Sequence, residues 1–274
     1  MPTLLCVFAH PDDEIFCSGM LSMLKENVDI YAVYLTCGEG GSLKSLPEGT
    51  DRVDLKNIRL HELKCSSLKL GFKKYFLMGY KDPVPKSGVL LAPDVRVETL
   101  DKHLLEIIEK TNPEVVVTHG TGGEYGHPAH IMLNKRVRDV LNHNFPSVNL
   151  YSFAAMPYWP KHSGFNVNDF PDLCLDVSVV KQNRIEVMAC HRSQVSSFLG
   201  GQTDGASQLI DKYVSLRSVE YYRRYDSCRN IDYLLQWLGV KPSRLLYPLK
   251  RVAWFMIRQV YLFKRYIARA LQID

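Results

Sequence analysis

The chain has 274 residues, 46% hydrophobic and 23% charged, with a formal net charge of +5, which allows a substantial core and fits one large domain. Eight of its 34 basic residues and one of its 29 acidic residues fall from Lys241 onward, leaving 26 against 28 over the first 240. The excess charge is therefore local, and with no zinc finger, RRM-type signature or basic-aromatic repeat a nucleic-acid partner is not expected.

The apolar stretch from Leu4 to Ala9 has no basic start before it and is too short for a signal peptide or a membrane span. Seven cysteines, at positions 6, 17, 37, 65, 174, 190 and 228, lack CxxC pairing. Neither a disulfide framework nor a cysteine zinc cluster is expected, and a reducing cytoplasm fits that pattern.

In chain order, the pattern predicts a strand over Leu4 to Ala9, a helix over Asp13 to Leu24, a strand over Ile30 to Thr36 and a helix over Lys56 to Leu68. A short strand over Tyr75 to Met78 follows, then a helix over Glu98 to Lys110, the β-branched strand Glu114 to Thr118 and a helix over His130 to Asn142. Strands at Val148 to Phe153 and Leu173 to Val177 precede a helix at Val180 to Cys190. This alternation predicts an α/β fold: a Rossmann-like, doubly wound, mainly parallel sheet with helices on both faces. Residues 1–240 would form that domain and 241–274 a basic amphipathic helical extension. In the extension Arg244, Arg251, Arg258 and Arg265 recur every seven residues beside Trp254, Phe255 and Phe263. Such a segment either lies on an anionic membrane surface, implying a lipid-linked substrate and peripheral placement at the inner face, or packs against protein.

Ligands of doubly wound sheets bind beyond the carboxyl ends of the strands, and three strand ends here carry unusual chemistry. They are His10-Pro11-Asp12-Asp13-Glu14, the glycine-rich run Gly38 to Gly41, and His119 through Gly126-His127-Pro128-Ala129-His130. The glycines lack GxGxxG spacing, so they suit a close backbone approach and not a dinucleotide. The acids could simply cap a helix, but a second strand-to-helix junction with two histidines three residues apart points to a cation. His10, Asp13 and one of His127 and His130 would leave a coordination position open, as in a catalytic zinc site. A coordinated water with its pKa drawn towards ~7, next to a carboxylate that takes its proton, is machinery for hydrolysing an amide or ester. His119 fits a supporting role better than that of a fourth ligand.

These motifs resemble those of the PIG-L/LmbE-like metal-dependent de-N-acetylases. The resemblance rests on "AHPDDE" at Ala9 to Glu14, "TCGEGGS" at Thr36 to Ser42, "RLHE" at Arg59 to Glu62, "LMGYKDP" at Leu77 to Pro83, "GEYGHPAH" at Gly123 to His130 and "HRSQ" at His191 to Gln194. It covers about the first 200 residues. It implies removal of an acetyl group from an N-acetylglucosamine-containing substrate, such as a GPI-anchor, mycothiol or bacillithiol precursor. It further implies His10, Asp13 and His130 as ligands of Zn²⁺ or another divalent transition metal, and Asp12 as general base. His127 would act on the oxyanion and leaving nitrogen, Tyr125 on the substrate carbonyl, and Arg59 and Asp82 would hold sugar hydroxyls or a phosphate. His191 would line the sugar pocket or close a helix. The family pattern has an acid or amide where this chain has Ala129, which leaves Glu124 as a substitute partner for His127. The alternatives are a zinc amidase or esterase acting on another acyl compound, and a degenerate binding protein on the same fold.

Overall fold

Val115, Val116 and Val117 are completely buried, and the strand they form sits at the centre of a seven-stranded sheet in the order β3-β2-β1-β4-β5-β7-β6. The strands are β1 (Thr3–Phe8), β2 (Asp29–Thr36), β3 (Phe72–Tyr80), β4 (Val115–Thr118), β5 (Asn149–Ser152), β6 (Leu173–Asp176) and β7 (Val219–Arg224). This computed structural model describes residues 1–155, 166, 169–199, 201, 205–225 and 232–239. The proposed extension from 241 lies outside the described residues.

β1 to β5 run parallel, while β7 is antiparallel to both β5 and β6. Side chains alternate along β1: Leu4, Cys6 and Phe8 join one buried cluster and Leu5, Val7 and Ala9 the other. The first cluster is covered by helices Ser18–Leu24, Arg52–Lys69 and Lys181–Cys190 through Leu21, Leu63 and Val187. The second is covered by helices Val97–Thr111 and Pro128–Asn144 through Leu104 and Leu133. The sheet is thus mostly parallel and doubly wound. Its order reverses between β1 and β4, which opens a crevice at their carboxyl ends.

The differences from the sequence expectations are local. Residues Asp13–Cys17 form a 3₁₀ turn, and the α-helix starts only at Ser18. β3 is longer than the apolar run that announces it. β7, a six-residue strand, lies where no strand is expected, because Val219-Glu220-Tyr221-Tyr222-Arg223-Arg224 mixes charges with aromatics. Cys6 and Cys17 are free, buried thiols packed in the first cluster. Where neither a disulfide framework nor a cysteine zinc cluster is expected, one disulfide is present: Cys65 and Cys190 are joined across 125 residues, with their Cα atoms 5.7 Å apart. Partners so distant in sequence are brought together by packing of two helices, which Cys spacing does not encode. No helix among the described residues is long and apolar enough to cross a membrane.

Helix Arg52–Lys69 carries Arg59 to the site, and its start is held by a capping box. The Asp51 carboxylate accepts from Val53 and Asp54 N–H at 2.7 and 2.8 Å, and Asp54 accepts from Asp51 N–H. Replacing Asp51 with Ala is expected to cost about 1 kcal/mol, read as a lower urea midpoint at unchanged m-value.

Candidate functional site

β1 ends at Phe8 and β4 at Thr118, paired so that Val7 lies opposite Thr118, and the loops that follow them meet over the crevice. In the first loop the acids do not cap the helix. Asp12 stands at the N-cap position with no side-chain cap hydrogen bond. The Asp13 carboxylate turns back, its Oδ2 accepting from Ala9 N–H at 3.1 Å and His10 N–H at 2.7 Å. Glu14 is wholly buried, accepting from Asp12 N–H at 3.0 Å, from Ser66 Oγ–H and from His191 Nε2 at 2.8 Å. Burial opposes its ionisation, but His191 and Ser66 outweigh that and lower its pKa. His191 therefore faces Glu14 at the end of helix Lys181–Cys190 and does not line the cavity.

In the second loop His127 is the N-cap of helix Pro128–Asn144, its Nδ1 accepting from Ala129 N–H at 3.2 Å. A histidine thus caps this helix, a use the residue pattern did not suggest. Glu124 does not hold His127, which corrects the expected substitution. Its Oε2 instead accepts from Nδ1 of both His119 (2.9 Å) and His130 (2.5 Å). Ala129 is buried in the apolar cluster of the second face.

The three expected ligands converge. His10 Nδ1 lies 3.2 Å from His130 Nε2 and 3.6 Å from Asp13 Oδ2, and His130 Nε2 lies 3.4 Å from Asp13 Oδ1. Donor atoms of a tetrahedral zinc with bonds of ~2.0–2.1 Å stand roughly 3.4 Å apart, the size of these separations, of which the two to Asp13 run to its different carboxylate oxygens. Two groups among the described residues have ligand atoms all within 4.8 Å of one another, His10/His127/His130 and Asp13/His119/His130. His119 offers no nitrogen: Nδ1 is on Glu124 and Nε2 accepts from Ala9 N–H at 3.0 Å. Burial lowers its pKa while Glu124 and Asp13 raise it, to about 9. The Ala9 N–H, shared with Asp13 Oδ2, is nevertheless placed to donate to Nε2, and an ion in the cluster would disfavour further charge, so we read the ring as neutral.

The remaining expected residues surround this cluster. Asp12 pairs with the buried Arg59 (Oδ2 to Nη2, 2.8 Å), which also donates to Gly38 O at 2.9 Å and to Pro11 O. Asp82 accepts from Gly40 N–H at 3.0 Å and approaches His10 Nε2 at 3.4 Å, a charge contact and not a hydrogen bond. Arg59 and Asp82 thus line the cavity while contacting the site's own groups. A Cβ on Gly38 would meet the Arg59 guanidinium, and one on Gly40 the Asp82 carboxylate. The glycine-rich loop is therefore close to these side chains. Tyr125 is 50% exposed, with its ring edge-on to His127 and His130. Gln194 ties the "HRSQ" segment to this loop through Ser42, accepting from its N–H and donating to its carbonyl.

His10, Asp12, Asp13, Arg59, Asp82 and His127 line a cavity of about 760 Å³, with His130 fully buried behind them. Burial raises the Asp12 pKa, against the lowering effect of Arg59, to about 6. For Asp13 burial is outweighed by His130, His119 and His10, which hold it well below the carboxylate range. Burial together with His10 and His130 lowers His127 to about 3, so its ring is neutral. Its proton is then on Nε2, because Nδ1 accepts from Ala129.

A His/Asp cluster at the switch point of a doubly wound sheet defines a candidate hydrolytic metal centre. The GlcNAc-PI de-N-acetylase (PIG-L) family matches residues 5–141, half of the chain, and the protein belongs to it. A 1D-myo-inositol 2-acetamido-2-deoxy-α-D-glucopyranoside deacetylase of Thermomonospora curvata is 33% identical over 149 residues, 48% of this chain and 50% of the relative. A Bacillus anthracis protein named "Probable N-acetyl-alpha-D-glucosaminyl L-malate deacetylase 2" is 28% identical over 217 residues, 76% of this chain and 90% of the relative. The chain spans about half the length of the curated relatives it first matches. Among solved structures, the 4-carboxy-2-hydroxymuconate hydratase GalB of Pseudomonas putida KT2440 has a TM-score of 0.62 at 15% identity, covering 85% of this chain and 99% of its own. That likeness is one of fold alone.

Burial lowers the pKa of His10, but Asp13 and Asp82 reverse this and raise it to about 10 in the ion-free cluster. A cation binding at His10 below that pH must displace a proton, so affinity is present above the pKa and is lost as pH falls. Calorimetric zinc titration in buffers of different ionisation enthalpy should show about one proton released near pH 8, and affinity rising about tenfold per pH unit between roughly pH 6 and 9. A pH-independent affinity would remove His10 from the ligand set.

Proposed function

We propose that this chain is a zinc-dependent de-N-acetylase that removes the acetyl group from an N-acetylglucosamine-type glycoside or glycoconjugate. The observation that carries this reading is the convergence of the His10, Asp13 and His130 donor atoms beside a large cavity that His10, Asp12 and Asp13 line. Relatives named for substrates that share an N-acetylated glucosamine and differ in the attached group, inositol or malate, support that choice of substrate.

In this reading His10, Asp13 and His130 hold the ion, which when bound lowers the pKa of a water and polarises the acyl oxygen. Asp12 takes the water's proton as the oxygen attacks the acetamide carbon. Arg59 fixes the Asp12 carboxylate without removing its basicity, since burial still raises the pKa to about 6. The hydroxyl of Tyr125 and the Nε2–H of His127, both on residues that line the cavity, are the donors available to the oxyanion. A neutral His127 stabilises that oxygen by hydrogen bonding and does not carry the proton. Asp12 therefore returns its proton to the nitrogen as the C–N bond breaks, yielding acetate and a free amine.

Asp12→Asn should leave bound zinc unchanged, because Asp12 contacts Arg59, and should lower acetate release by about 10²–10⁴-fold. The wild-type rate should fall as pH drops through about 6, where Asp12 protonates. A panel of N-acetylglucosaminides set against simple amides and esters separates this reading from a broader amidase or esterase. Full turnover by Asp12→Asn with normal metal content would rule out the base.

A further inference from the structure

Glu124 receives four hydrogen bonds, and the identity of the donors is informative. Its Oε2 takes Nδ1–H of both His119 and His130, and its Oε1 takes Gly120 N–H at 3.0 Å and Asn166 Nδ2–H at 2.9 Å. Four donors converging on one carboxyl group leave no role for a proton on it, so it is ionised. Each histidine must then carry its proton on Nδ1. The other nitrogen of His130, Nε2, is left with a lone pair directed towards His10 Nδ1 and Asp13 Oδ1.

We propose that Glu124 is the positioning residue of the metal centre. By accepting both Nδ1 protons on one oxygen it selects the His130 tautomer that coordinates through Nε2. The same contact holds His119 so that its Nε2 receives Ala9 N–H, which also bonds Asp13. One carboxylate therefore orients a ligand from the second loop and steadies the first loop, which carries the other two.

The backbone supports this reading independently. Glu124 has φ 59 and ψ −66, a conformation a non-glycine residue keeps only where its surroundings impose it. Here Asn166 imposes it, with Oδ1 accepting from both Gly122 and Glu124 N–H at 3.1 and 2.9 Å. The strain places the side chain between the two rings. A glutamine would fit the space but not the donors, because whichever way its amide turns, its NH₂ group faces two N–H groups.

The inference rests on the metal-centre reading above but not on the reaction, and its test uses no substrate. The wild type and Glu124→Gln are stripped of metal, their folding is checked by circular dichroism, and Zn²⁺ affinity is measured by competition with a chromophoric chelator. Affinity is expected to weaken about 10–100-fold in the variant, with a shifted visible spectrum of the Co²⁺-substituted protein. A folded variant with wild-type affinity and spectrum overturns the proposal. If the variant does not fold, ¹⁵N-histidine NMR of the zinc-loaded wild type decides. Protons on Nδ1 of both His119 and His130 support the assignment, and an unprotonated His130 Nδ1 overturns it. Loss of acetate release with these results intact would remove the proposed reaction and leave this inference standing.

Discussion

The site depends on β1 and β4 lying side by side with their carboxyl ends level. Val7 pairs with Thr118, whose hydroxyl donates to Val7 O at 2.9 Å. Thr36, at the end of β2, donates both its backbone N–H and its hydroxyl to Ala9 O. Residues that leave these strands one or two positions later have no choice but to meet. The apolar alternation of β1 and the valines of β4 are therefore what set His10 near His119, and burial of both sheet faces keeps the strands from slipping.

An apolar sheet that delivers acids to its edge must also keep them from destabilising the fold. Asp13, Glu14 and Glu124 are all buried, and an isolated charge there would cost several kcal/mol. Each is instead surrounded by donors: backbone N–H groups for Asp13, a serine, a histidine and a backbone N–H for Glu14, and four donors for Glu124. Two of these arrangements require unusual backbone. Asp12 has φ 109 and Glu124 φ 59, both in the region that favours glycine. Strain of this kind costs of order 1–3 kcal/mol per residue and persists where neighbouring contacts over-determine the chain.

The sheet and its helices were legible because their signals are local. Alternating runs such as Leu4 to Ala9 and the periodic helix around Leu100, Leu104 and Ile108 carry their own structure, and so did the placing of three unusual segments at strand ends. What was not legible lies in pairings between distant residues. Nothing near Arg59 announces that it will bond Asp12, nothing near Cys65 announces Cys190, and Glu124 reads as a neighbour of His127 although it reaches past it to His119 and His130. The difference is physical: periodicity reports which face of an element is buried, while a hydrogen-bond partner depends on where a loop turns. Here the turn was hidden in the positive φ of Glu124 and of the preceding Gly123.

The adjacent aspartates show how far environment can separate identical residues. Asp13 has two backbone N–H groups and the His10 and His119 nitrogens about one oxygen and His130 Nε2 near the other, so it stays ionised at any ordinary pH. Asp12 points the other way, with Arg59 as its charged partner at 2.8 Å and Asp13 adding repulsion, so burial carries its pKa up to about 6. A residue that must hold a cation throughout a reaction needs the first environment, and one that must take and return a proton near neutrality needs the second. A single backbone dihedral, the twist given by the positive φ of Asp12, sends the two carboxyl groups into these different surroundings. Relaxing that twist would turn Asp12 away from Arg59 and weaken the division between them.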